Sequence, residues 1–101
     1  MLETSTVNGK IITGNVQLVH AVGMHARPAV KLTKLAKKFQ AHISVRASNA
    51  EWINAKSVAK VMAMRAARDS FIEIRAIGVD AEAAVAALVD LVATDFPETQ
   101  Q

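Results

Sequence analysis

Seven consecutive residues, Gly23-Met24-His25-Ala26-Arg27-Pro28-Ala29, gather side chains that could handle an anion. His25 supplies an imidazole, which as the neutral base is a nucleophile. Arg27 adds a permanent charge on a planar fork of donors suited to phosphate oxygens. Gly23 allows a tight turn just upstream. Pro28 fits the first turn of a helix, where its missing N–H costs nothing. The pattern therefore sets His25 at a helix start, beside amides that have no partner inside the helix. Such a terminus attracts anions through those amides and through the positive end of the helix dipole. A phosphoryl group on His25 would find its oxygens already solvated by protein. An exposed histidine that merely precedes a helix has the same local signature, and the seven residues alone leave the two readings level.

The flanking elements must hold this segment in place. Alternation of Val16 and Leu18 with Gln17 and Val19 predicts a strand over about Ile12–His20, then a loop to Met24. Helical spacing of Ala29, Leu32, Leu35, Ala36 and Phe39 predicts a helix over about Ala26–Phe39, with Arg27, Lys31, Lys34 and Lys38 on a separate face. A strand is expected over His42–Arg46, a turn at Ser48–Ala50 and a short strand at Glu51–Ile53. Ser57 is placed as the N-cap of a second helix reaching about Ala67. Ile72, Ile74 and Ala76 alternate with Glu73 and Arg75 in a strand over Phe71–Ile77, ended by Gly78. Asp80 caps a third helix that runs to about Thr94. The most economical packing of this order is an α+β, open-faced β-sandwich: a four-stranded, mainly antiparallel sheet with three helices on one face.

Composition agrees with a single domain over residues 1–101, its core spanning about 10–96 between a polar tail (Met1–Lys10) and a frayed end (Pro97–Gln101). At 51% hydrophobic and 21% charged, the chain can bury a core, which excludes wholesale disorder. With three Phe, one Trp and no Tyr, that core rests on aliphatic residues and Met. The absence of cysteine excludes disulfides and thiolate metal sites. No secretory leader and no apolar run of roughly 20 residues is seen, so a cytoplasmic protein that does not insert in membranes is expected. His20 and His42 read as surface or edge residues; with His25 they form no metal-ligand spacing, and neither a metal nor a cofactor is expected. Trp52 reads as a cover for the sheet or a helix end.

The second helix suggests a docking face. Val61 and Met64 lie on one side, Val58 and Met62 on another, and a short helix on a sheet buries one side well. Val58 and Met62 thus either form an exposed apolar patch or pack between the first and second helices. Methionine suits a surface that accepts several partners. A partner surface of Met24, Arg27, Lys31, Lys34, Val58 and Met62 would be an apolar centre rimmed by positive charge, which steers acidic proteins.

The motif around His25 resembles the phosphohistidine motif of the HPr phosphocarriers of the bacterial phosphotransferase system. A second segment, Asn54-Ala55-Lys56-Ser57-Val58-Ala59-Lys60-Val61-Met62, resembles the regulatory-serine segment of that family, and the element order fits over about Lys10–Phe96. The Met24 form of the motif and the Lys31-Leu32 continuation are similar to the nitrogen-related branch, whereas Asn54 to Ser57 also suits the kinase-regulated members. The resemblance implies that His25 is phosphorylated at Nδ1 by enzyme I, that Arg27 helps hold the phosphoryl group, and that the amides of Ala26 and Arg27 receive its oxygens. It implies enzyme II A-type components as acceptors and an HPr kinase/phosphatase acting at Ser57. Two departures bear on partner choice: Lys60 stands where many members carry glycine, and His20-Ala21-Val22 lacks the small polar residue often found before the active histidine.

The leading expectation is a monomeric phosphoryl carrier, not an independent enzyme, acting only with partner phosphotransferases. Its rivals are a small basic nucleic-acid-binding module and a regulatory protein of the same fold that carries no phosphate. Against the former, the sheet lacks the interleaved aromatics that stack bases.

Overall fold

Alternating strands and amphipathic helices assemble as the patterning requires. The computed structural model describes residues 10–97. In chain order these form β1 (Ile11–Gln17), α1 (Ala26–Ala36), β2 (His42–Ala47), β3 (Ile53–Asn54), α2 (Val58–Ala63), β4 (Phe71–Ile77) and α3 (Ala81–Ala93). The strands make one sheet in the order β1-β4-β2-β3, every neighbouring pair antiparallel. β4 is central: Gly14 faces Ile74 on one side and Val45 faces Ile74 on the other. The three helices cover one face and leave the other open, as expected.

Period-two alternation decides which strand residues meet the helices. Ile72, Ile74 and Ala76 of β4, Ile43 and Val45 of β2, and Val16 and Leu18 from the β1 side are buried against Leu32, Ala84, Leu88 and Val92. Each such large aliphatic side chain contributes about 1.5–3 kcal/mol through loss of contact with water. Helix and sheet approach closely where Gly14 lies beneath α3: a Cβ there would sit 2.8 Å from Val85 Cγ1 and 2.9 Å from Val89 Cγ2. On the open face the Trp52 ring stacks on two guanidinium groups, 4.5 Å from Arg46 and 4.2 Å from Arg75, and Arg46 is also paired with Glu73.

Several element ends differ from expectation. β1 stops at Gln17, three residues before His20, because Leu18 bonds a turn instead: its N–H donates to Ser70 O and its carbonyl accepts from Asp69 N–H. α1 stops at Ala36, and the next turn tightens, with Lys38 and Phe39 donating to Leu35 and Ala36. α2 stops at Ala63 rather than Ala67, since Arg65 enters the left-handed region at φ 51°. Asp80 precedes α3 but makes no side-chain cap bond to it. Its carboxylate instead accepts the amides of Gln40 and Ala41, each at 2.8 Å, clamping the α1–β2 and β4–α3 connections together. Those bonds, that of Gln40 foremost, hold its carboxyl below the ordinary aspartate value, partly opposed by desolvation. The expected polar tail falls outside the described residues except for Lys10, and the expected frayed end does so except for Pro97.

Candidate functional site

His25 is the N-cap residue of α1. Its backbone is extended (φ −126°, ψ −161°), its carbonyl accepts the N–H of Ala29 at 2.9 Å, and its side chain makes no capping bond. The helix therefore uses the His25 backbone and leaves the imidazole to other chemistry. His25, Ala26 and Arg27 are all exposed, whereas Pro28 and Ala29 are buried and anchor the first turn. The first-turn amides point out of the helix start without intrahelical acceptors, and Arg27 is the exposed cation of that turn.

The loop leading to His25 is fixed by its backbone. Gly23 sits at φ 75°, and a Cβ there would come within 2.6 Å of Ala66 O. That same oxygen accepts the N–H of Met24 at 2.9 Å, while Gly23 N–H donates to His20 O. The turn sends Met24 inward, where it is 4% exposed and part of the core. Met24 therefore offers no side chain to a partner surface, contrary to the expectation from sequence: the glycine that turns the chain also reverses the direction of its neighbour.

The other expected residues lie on α1 and at the start and along the length of α2. Lys34 is exposed, whereas Lys31 is half-buried and donates from Nζ to Phe96 O at 2.9 Å. On α2, Val61 is fully buried while Val58 and Met62 remain 37% and 41% exposed. They do not pack away between α1 and α2. Ser57 caps α2, its Oγ accepting the N–H of Lys60 at 3.3 Å.

A chain end arrives at the site that sequence reasoning did not place there. After α3, Asp95 and Phe96 both adopt left-handed backbone (φ 62° and 52°). Asp95 N–H donates to Val92 O at 3.1 Å and Phe96 N–H to Leu91 O at 2.8 Å, the two bonds of a Schellman stop. The reversal buries Phe96, puts its carbonyl on Lys31 and puts Asp95 Oδ1 2.8 Å from His20 Nδ1. The His20 ring lies 5.2 Å from that of His25, tilted by 34°, and meets Phe96 edge-on at 5.9 Å. The only sequence signal was a capping-competent Asp just after an apolar helix, with Pro97 beyond it.

Residues 12–94 match the family described as "PTS HPr component phosphorylation site". The chain belongs to the HPr family. It is a phosphocarrier of the phosphotransferase system, as its relatives are named to be. "Phosphocarrier protein NPr" of Escherichia coli is 35% identical over 83 residues, covering 82% of this chain and 92% of that protein. "Phosphocarrier protein HPr" of Neisseria meningitidis is 31% identical over 84 residues, covering 83% and 93%. The crystal structure of HPr-C-His from Thermoanaerobacter tengcongensis superposes with a TM-score of 0.80 at 32% identity, covering 88% of this chain and 99% of that one. These relatives lend nothing to the nucleic-acid-binding or phosphate-free alternatives. In this phosphocarrier the described helices include none long and apolar enough to cross a membrane.

Proposed function

We propose that His25 is the residue that carries the phosphoryl group. Phosphorylated enzyme I is the donor and enzyme II A-type components are the acceptors. The observation that carries this reading is an exposed imidazole at the N-cap of α1 that the helix does not use for capping. In the transfer the lone pair of His25 Nδ1 attacks phosphorus, so the ring proton of the neutral base resides on Nε2. The P–N bond to the donor histidine breaks as the P–Nδ1 bond forms, and the leaving nitrogen retains the bonding pair. The amides of Ala26 and Arg27 and the guanidinium of Arg27 receive the phosphoryl oxygens. Because both half-reactions need a partner's active site, the protein works as a carrier and not as an enzyme on its own, a monomeric shuttle of the cytoplasm.

Val58 and Met62, with Arg27 and Lys34, supply the surface for those partners: all four are exposed, and apolar atoms combined with positive charge suit brief docking to acidic proteins. Ser57 borders that surface. Phosphorylation there by an HPr kinase/phosphatase would add about two negative charges at the start of α2 and repel the same partners, slowing transfer without unfolding the domain.

The test is incubation with enzyme I and labelled phosphoenolpyruvate. Acid-labile, base-stable label is expected on the wild-type protein and none on His25→Ala. Undiminished label on His25→Ala would remove the assignment.

A further inference from the structure

We propose that His20, held by Asp95, is the second imidazole of the phosphoryl site: it takes up a proton when His25 is phosphorylated and thereby strengthens phosphoryl retention. This rests on the assignment of His25 proposed above. The two ring centroids are 5.2 Å apart, so the charge of a dianionic phosphoryl group on His25 would act on the His20 ring at close range. His20 Nδ1 is 2.8 Å from Asp95 Oδ1. A carboxylate accepts and does not donate, so this contact fixes the proton on Nδ1 and leaves Nε2 as the atom that can gain one. The pair is partly shielded, with side-chain exposures of 25% for His20 and 51% for Asp95, and Phe96 packs on the His20 ring in a T-shaped contact.

The carboxylate has little freedom to leave. Asp95 sits in the left-handed position of the stop after α3, anchored by the bonds to Val92 and Leu91, by burial of Phe96 and by the Lys31 contact to the Phe96 carbonyl. Other charged groups on elements around His20 are Arg27 and Lys31 of α1, and Arg68 and Asp69 of the turn bonded to Leu18. Among the described residues, Asp95 is the carboxylate that bonds the His20 ring.

New negative charge within about 4–6 Å of an imidazole favours its protonated form. The proton comes from solvent, no bond other than N–H forms, and the P–N chemistry is unchanged. Binding linkage is reciprocal: if phosphorylation raises the proton affinity of His20 about tenfold, protonation of His20 favours the phosphorylated carrier by the same factor. The proton affinity of His20 is raised in the phosphorylated state. Its support is thus complete at pH values below the titration of the unmodified protein and disappears as pH rises through the titration of the phosphorylated one.

Imidazole titrations followed by NMR on the wild-type protein, before and after phosphorylation by enzyme I, test this without any substitution. Phosphorylation is expected to move the His20 titration upward by about one pH unit, and Asp95→Asn, which still tolerates the left-handed turn, is expected to shrink that shift. A His20 titration unchanged by phosphorylation overturns the inference. As a second reading, His20→Asn should lower the transfer equilibrium from enzyme I about tenfold near pH 6 and match wild type near pH 9. A deficit that is the same at both pH values marks a merely structural histidine and also overturns it. His25→Ala separates the two claims: label persisting there removes the assignment of His25, whereas label lost there with a fixed His20 titration removes the role of His20 alone.

Discussion

The amide of Met24 donates to the carbonyl of Ala66 at 2.9 Å, tying the loop before His25 to the segment that follows α2. The same carbonyl lies where a Cβ on Gly23 would project, and Gly23 adopts φ 75°. Gly23→Ala therefore meets both a strained backbone and a backbone oxygen that cannot swing aside. The expected outcome is a loss of about 1–3 kcal/mol in urea unfolding, together with slower phosphoryl acceptance at His25. Wild-type stability in that variant would show that the loop is free to move away from Ala66.

Met62 stands 41% exposed on α2, outside the core. Met62→Asp should leave the unfolding free energy within about 0.5 kcal/mol of wild type. On the docking surface proposed above, it should slow transfer from enzyme I about tenfold, through loss of an apolar anchor and repulsion of acidic partners. Rapid-quench measurement of label transfer reads this directly; an unchanged rate would place the docking surface elsewhere.

Asp80 accepts the amides of Gln40 and Ala41, and its carboxyl is lowered from its ordinary value, chiefly by the Gln40 bond. A depressed folded-state value gives stability that is present above the unfolded value of about 3.9 and lost as pH falls through the folded one. Thermal melts across the acid range should show this loss in the wild-type protein. Asp80→Asn should melt lower at neutral pH and show a flatter acid limb.

Arg65 occupies the left-handed position after α2 at φ 51°, with its side chain exposed. A non-glycine residue there costs about 1–2 kcal/mol, part of which glycine would give back through its greater freedom when unfolded. Arg65→Gly should raise stability by about 0.5–1 kcal/mol with phosphoryl transfer unchanged, measurable as a higher urea midpoint at constant slope.

What could be read in the chain followed from local periodicity. Ile72, Ile74 and Ala76 alternate with charged residues, which located β4 at both of its ends. The apolar spacing of α1 carried on through Phe39, so periodicity overran the true end at Ala36, where tighter turns preserve the spacing without the helix. α2 ended early because an arginine took the conformation usually signalled by glycine. Asp80 was the right residue type at a helix start, but its carboxylate found amides 39 and 40 residues away. His20 and Asp95 are 75 positions apart, and no one-dimensional pattern joins them. Near the helix start, the place of His25 as N-cap and of Arg27 in the first turn could be read because helix capping and turn chemistry are local. Met24 was misread because its direction depends on where Gly23 turns the chain.

The stacking of Trp52 with Arg46 and Arg75 gives the domain a built-in optical reporter. It is the sole indole, no tyrosine competes with it, and it sits on the uncovered side of the sheet, where no helix packs. Its emission should therefore register the melting of the β2–β3 edge while staying silent to chemistry at His25, so folding and phosphorylation can be followed independently in one cuvette.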